Sequence, residues 1–228
     1  MRRRGTLRAA STVLIVAGIL LLLDAGLTVA WQEPVSALYA RIAQEQLEGD
    51  LREAARLDLR PAEKRLLRSL EREPQRLGYL ARRAERRART GDAIGRIVSK
   101  RAKIDFVMVE GTDTTTLRKG PGRFPETAMP GMSGTVAVAG HRTTYQAPFR
   151  HLDAFRKNDP IRLEMPYGTF TYRVERTRIV RPDAVWVTRS VGYPRLVLTA
   201  CHPLYSAAKR IVVFAKLVRA EPATSQRG

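Results

Sequence analysis

The chain has little cysteine, little histidine and few acids. Its 228 residues hold one cysteine and three histidines, with Asp+Glu 22 against Lys+Arg 41. One cysteine excludes an intramolecular disulfide framework, and with it any zinc site built on two or four cysteines of one chain. No acidic cluster supplies the several oxygen ligands that calcium takes. No internal repeat or low-complexity block stands out. The 44% hydrophobic and 28% charged composition supports a packed core and excludes global disorder. The length fits one ordinary domain plus an appendage.

The formal net charge of +19 points first to an anionic partner such as nucleic acid. The surplus is spread along the chain, however: +2 over residues 1–40, +8 over 41–103 and +9 over 104–228. A spread surplus reads as solvated surface, and no nucleic-acid partner is expected. A polyanion binder would show steeply salt-dependent affinity.

Arg2, Arg3, Arg4 and Arg8 precede an apolar run from Ala9 to Leu23, which resumes after Asp24 and reaches Trp31. As a helix, residues 9–31 measure about 34 Å, against roughly 30 Å of hydrocarbon core. The arginines hold the short basic tail, residues 1–8, in the cytoplasm, which places the bulk of the chain outside the membrane. Trp31 and Tyr39 suit an interfacial anchor. The alternative is a cleaved signal peptide ending near Thr28-Val29-Ala30. Residues 32–90 show no strand alternation. Leu47, Leu51, Ala54 and Ala55 share one helical face, and Pro61 and Pro74 divide the segment into two or three helices. These residues read as a helical juxtamembrane stalk, either a solvated spacer or a basic surface near anionic headgroups.

From Gly91 the texture changes. Segments 104–109, 135–139, 161–165, 170–175, 195–199 and 211–218 are rich in β-branched and aromatic residues or alternate in polarity. Turn-rich stretches separate them, and residues 149–155 fit one short helix. The expectation is an all-β barrel or sandwich of about 130 residues, covering 91–220, with a disordered tail at 221–228.

Three residues fall at the ends of the expected strands: Cys201, His141 and Arg210. Loops at strand ends carry function on a rigid scaffold. A thiolate is a nucleophile, an imidazolium protonates a departing amine, and a guanidinium stabilises an oxyanion. Together they make a kit for acyl transfer. Taken singly, they also read as a buried small hydrophobe, a turn residue and a solvated base. His202 and His151 rival His141. Neighbouring residues on a strand point to opposite faces, which turns His202 away from the thiol unless the strand has already ended.

The segments Thr116-Leu-Arg-Lys-Gly-Pro-Gly122, Val138-Ala-Gly-His-Arg-Thr-Thr-Tyr145 and Leu198-Thr-Ala-Cys-His-Pro203, with Arg210 nine residues past the cysteine, resemble a sortase. The likeness is strongest to the class E sortases of high-GC Gram-positive bacteria, and it covers about residues 91–220. It implies a closed β-barrel with short helices behind an N-terminal transmembrane helix. It also implies Cys201 as nucleophile, His141 as acid and base, and Arg210 as the oxyanion and peptide ligand. The implied activity is transpeptidation without a cofactor. A sorting signal of the Leu-(Ala/Pro)-x-Thr-Gly type is cut between Thr and Gly, and the acyl group passes through a thioester to a cell-wall amine. Reverse protonation, with a small active thiolate–imidazolium fraction, is implied as well. The implied partners are secreted proteins carrying that signal, the amine acceptor and the membrane. The usual Thr-Leu-x-Thr-Cys pattern reads here Val197-Leu198-Thr199-Ala200-Cys201, so a hydroxyl directly before the cysteine is missing. Candidate substrate-binding residues are Thr143, Thr144 and Tyr145 after the histidine, Val197 and Thr199 before the cysteine, and Leu204 and Tyr205 between the cysteine and Arg210. Ordinary barrel packing is the alternative for each. A hydrolase of the same fold and a catalytically silent peptide-binding module remain alternatives to transpeptidation.

Overall fold

The computed structural model describes residues 2–31 and 34–223, with side chains described for 11–23, 25–26 and 35–223. Eight strands close into a barrel: β1 (Ala93–Ser99), β2 (Ile104–Glu110), β3 (Gly122–Arg123), β4 (Thr135–Ala139), β5 (Pro160–Met165), β6 (Gly168–Val180), β7 (Arg195–His202) and β8 (Lys209–Pro222). Their order around the barrel is β1-β2-β3-β4-β7-β8-β6-β5. Two pairings are parallel, β2 with β3 and β4 with β7, and the others are antiparallel. Closure buries one face of every strand. Leu196, Leu198 and Ala200 of β7 turn into the interior beside Ile211 and Val213 of β8. The alternate residues Val197, Val212 and Phe214 form a second cluster on the outer face, with Ala137 and Val187. The 3-10 turn Val185–Thr188 covers that cluster.

Helix α1 spans Arg2–Trp31. Among the described residues, no helix is long and apolar enough to cross a membrane. The side chains of the basic tail, Asp24 and Trp31 lie outside the described residues. Next come α2 (Pro34–Ala54), α3 (Pro61–Ser69) and α4 (Glu73–Arg87). Pro61 is the first residue of α3 and Pro74 the second of α4, within the first turn, where a missing N–H costs nothing and the fixed φ suits the helix. They begin helices as well as separating them.

This segment is not a free-standing stalk. Leu47 of α2 is buried with Val107 and Val109 of β2. Gln44 reads the β2 backbone: its Oε1 accepts from Val107 N at 2.8 Å, and its Nε2 donates to Val107 O at 3.0 Å and Lys119 O at 2.8 Å. The Val107 groups are peptide groups that an open strand edge leaves unpaired, and Lys119 O belongs to the turn before β3. Leu77, Leu80 and Ala81 of α4 enter the main core. A sequence reading of Arg-rich helices as solvated misses this, because one apolar stripe suffices for docking. The C-terminal end differs too. Glu221 and Pro222 belong to β8, paired with Thr169 and Gly168, and the rest of the expected tail, 224–228, lies outside the described residues.

Candidate active site

Parallel pairing of β4 with β7 sets the geometry of the site. Ala139 lies opposite Thr199, and Gly140 N donates to Thr199 O at 3.1 Å. His141 follows two residues after Ala139, and Cys201 two residues after Thr199. His141, just past the end of β4, and Cys201, within β7, therefore stand at the same height on adjacent chain segments. On the other side of β7, Cys201 is the antiparallel partner of Arg210, and directly opposed residues project from the same face. The row His141–Cys201–Arg210 thus crosses three neighbouring chain segments, although the residues are far apart in sequence. All three are half-buried.

Glycine at 140 is required by close approach. A Cβ there would lie 2.7 Å from Cδ2 of Phe149, a fully buried ring. The loop returns to bond His141 O from Phe149 N at 2.9 Å. Between them the chain passes through Tyr145, Gln146 and Ala147, all at positive φ (52°, 61° and 45°). Such a run in residues with a Cβ costs energy and persists where its surroundings hold it. Here α2 supplies the support: Ser36 Oγ accepts from Tyr145 N at 3.3 Å, and the rings of Tyr39 and Tyr145 meet edge-on at 6.3 Å. Tyr145 in turn packs on His141, with ring centroids 5.0 Å apart.

His141 Nε2 is buried and has no hydrogen-bond partner among the described residues. Burial first, and then the nearby Arg118 guanidinium, push the imidazole below the ordinary histidine range, so the neutral ring is favoured. Arg118 itself lies over the Tyr145 ring at 5.8 Å. Arg210 Nη1 donates to Ala207 O at 2.8 Å and Lys209 O at 3.0 Å, bracing the loop between β7 and β8.

Arg210 also lines a groove of about 160 Å³ on the outer face, together with Thr199, Val212 and the turn residues Val185, Val187 and Thr188. A larger cavity of about 310 Å³ lies between the helices and the barrel, lined by Leu57, Leu80, Met129 and Tyr167, and none of the candidate site residues borders it. Among the described residues, no group of three or more His, Cys, Asp or Glu side chains is arranged to hold a metal ion.

The remaining candidates divide. Thr199 lines the groove, and Tyr145 touches His141. Thr143 and Thr144 are half-buried in the loop after His141. Leu204 and Tyr205 are exposed in the β7–β8 loop, Tyr205 at 65%. Val197 departs from expectation: it is fully buried under the groove with Phe214 and Val187, and packs instead of opening to a ligand. Ala200 faces the barrel interior, so a hydroxyl there would point away from the thiol's face. His202 is still within β7, and therefore points away from Cys201. His151 is exposed beside the 3-10 turn Leu152–Ala154. Sequence reasoning gave no site role to Arg142 and Arg118, although both lie within the motif segments, and read Tyr39 as an interfacial anchor, whereas its ring packs on Tyr145.

The family model described as Sortase domain matches residues 98–218. Among curated proteins, sortase D of Bacillus subtilis is 34% identical over 133 residues, spanning 57% of this chain and 66% of that protein. Sortase SrtE1 of Streptomyces coelicolor is 32% identical over 107 residues, spanning 42% of this chain and 30% of that protein. The chain thus spans less than two thirds of the length of the curated relatives it matches. Among solved structures, a sortase D5 transpeptidase of Clostridium perfringens shares the fold at a TM-score of 0.62 and 21% identity, covering 78% of this chain and 99% of that one. Sortase E of Streptomyces avermitilis superposes at 0.55 with 29% identity, covering 61% and 97%. With over half its length matched by the family and a closed barrel in common with these structures, the chain belongs to the sortase family.

Proposed function

We propose that this chain is a membrane-anchored cysteine transpeptidase. It cleaves a Leu-(Ala/Pro)-x-Thr-Gly-type signal between Thr and Gly and passes the acyl group to a cell-wall amine. The observation that carries the reading is the row His141–Cys201–Arg210 across β4, β7 and β8. The Cys201 thiolate attacks the threonine carbonyl. Arg210, which lines the groove, supplies donors to the oxyanion. His141 as imidazolium protonates the departing glycine amine, and a thioester remains on Cys201. The incoming amine attacks that thioester while neutral His141 takes its proton, and departure of the sulfur regenerates the thiolate–imidazolium pair. The site needs no cofactor for these steps.

The anchor is α1. Its apolar side chains Val13, Leu14, Ile15, Val16, Ile19, Leu20, Leu21, Leu22 and Leu23 are all exposed. That fits a lipid environment better than water. With the basic tail inside, the barrel lies outside the cell, where secreted proteins bearing the signal and the wall amine are met.

Mass spectrometry of the full chain in micelles with a signal peptide tests the reading. The expected adduct is the peptide acyl group on Cys201, absent in Cys201→Ala. Adding a glycine-based amine should divert product from hydrolysis to transpeptidation in proportion to its concentration. Absence of the adduct across a range of pH and peptide sequence refutes the chemistry, and a product ratio indifferent to amine refutes transpeptidation in favour of hydrolysis. Protease accessibility of the barrel in intact cells tests the topology.

A further inference from the structure

We propose that Arg142 and His202 are positioning residues, forming a clamp that keeps His141 and Cys201 in register. The proposal rests on reading Cys201 and His141 as the reacting pair. Each clamp residue directly follows one member of that pair, and the two bond to each other: Arg142 Nη1 lies 3.1 Å from His202 Nδ1. A guanidinium has donors only, so Nδ1 accepts and the ring proton sits on Nε2. Arg142 is 3% exposed. Its Nη2 pairs with Asp153 Oδ2 at 3.0 Å, and its Nε donates to Arg150 O at 3.3 Å. One guanidinium therefore ties the loop after His141, the end of β7 and the 3-10 turn that follows.

The position of this link matters. Backbone pairing of β4 with β7 ends at Ala139 and Thr199, extended by the single bond from Gly140 N. His141 and Cys201 both lie past that last rung. Arg142–His202 joins the two chains beyond it, one residue past the reacting groups. A buried guanidinium is not the most stable way to fill this space, since apolar side chains of similar volume commonly do as well or better. Its Asp153 partner is 61% exposed, and an ion pair with a solvated member contributes little. Fixing geometry accounts for arginine here where stability does not. Misplacing reacting atoms by about 1 Å costs on the order of 100-fold in rate.

Three variants of the full chain in micelles test this: His202→Phe, His202→Asn and Arg142→Met. Two rates are read on each: acyl-enzyme formation from a signal peptide, and alkylation of Cys201 by iodoacetamide, with His141→Ala as reference. His202→Phe and Arg142→Met should slow acylation about 10- to 100-fold at saturating peptide with unchanged half-saturation. Their alkylation should fall to the His141→Ala value. His202→Asn, whose amide oxygen takes the place of Nδ1, should recover most of both rates. A His202→Phe protein that is folded and as fast as wild type overturns the clamp, and so does a His202→Asn protein as slow as His202→Phe. If wild type and His141→Ala alkylate alike and wild type forms no acyl-enzyme, the reading of the reacting pair itself has failed.

Discussion

Replacing Arg123 with methionine should weaken the fold far more than a surface charge change would. Strand β3 has only two residues, yet it joins β2 to β4 around the barrel. Arg123 is the parallel partner of Glu110 on β2 and the antiparallel partner of Val138 on β4. Its guanidinium grips the Glu110 carboxylate with two nitrogens, Nε to Oε2 at 2.8 Å and Nη2 to Oε1 at 2.6 Å. The third nitrogen donates to Thr127 O. The two side chains are 2% and 6% exposed, so solvent does little to screen the pair.

Removing one member leaves the Glu110 carboxylate uncompensated in the interior, at a cost of about 3–5 kcal/mol. For a chain of this size, 1 kcal/mol moves the midpoint by about 2–4 °C, so the expected loss in Tm is about 6–20 °C. Thermal unfolding of the full chain in micelles, followed by near-UV circular dichroism, measures it. The double variant Glu110→Met, Arg123→Met removes both charges and fills the space with apolar atoms. It should recover most of the loss, short of about 1–3 kcal/mol for the Thr127 carbonyl left without its donor. A single-variant shift below about 2 °C, less than 1 kcal/mol by the same conversion, refutes the reasoning. A double variant as unstable as the single shows that the arginine acts through packing and not through charge. The weakened β3 should also reach the site, since β4 carries Ala139 two residues before His141.

Gly140→Ala should cost about 1–3 kcal/mol and slow acylation, because its Cβ presses on the buried Phe149 ring beside His141; wild-type stability and rate would mean the ring has room to move. Burial and then Arg118 depress the His141 pKa, so Arg118→Gln should move the acid limb of the acylation–pH profile to higher pH, and an unmoved limb assigns it to another group. The same depression means that the unfolded chain binds a proton at about 6.5 that the folded chain refuses. That part of the stability is present above the unfolded value and is lost as pH falls through the folded one, so His141→Phe should flatten the acid side of a Tm–pH curve. Tyr39→Ala removes the ring that braces Tyr145 and should loosen the turn at 145–147, read as faster amide hydrogen exchange there. Ala200→Thr should leave the Cys201 alkylation rate unchanged, since position 200 faces the barrel interior.

Strands whose side chains alternate or run apolar are legible from the residues: segments 135–139 and 161–165 lie in β4 and β5, and 211–218 lies in β8. Strand β1 is not, because Gly95 weakens any local strand reading. The glycine is demanded by a neighbour: a Cβ there would lie 2.8 Å from Glu164 O on the adjacent β5. Strand β3 hides in the turn-rich Lys119–Arg123 stretch, and a buried ion pair with a residue thirteen positions away holds it in place. The C-terminal half of β6 reads as Thr and Arg with no apolar period, and it is a strand because β8 pairs with it as far as Val180.

The site divides along the same line. His141, Cys201 and Arg210 announce themselves through residue type at strand ends, and the motif segments add to that. Their adjacency is a matter of register: β4 must run parallel to β7, with Ala139 opposite Thr199, for the imidazole and the thiol to emerge side by side. A register shift of one residue would turn every side chain to the other face. Continued past the last pair, it would bring Gly140 or Arg142 to the level where His141 stands beside Cys201. The alternation that hides Leu198 and Ala200 in the core while Thr199 lines the groove is therefore also what selects the histidine. On the proposed mechanism, the packing of an ordinary apolar strand thus sets which side chain leaves β4 on the Cys201 side, and substitutions inside the barrel that disturb the β4–β7 register should slow acylation without touching the proposed reacting groups.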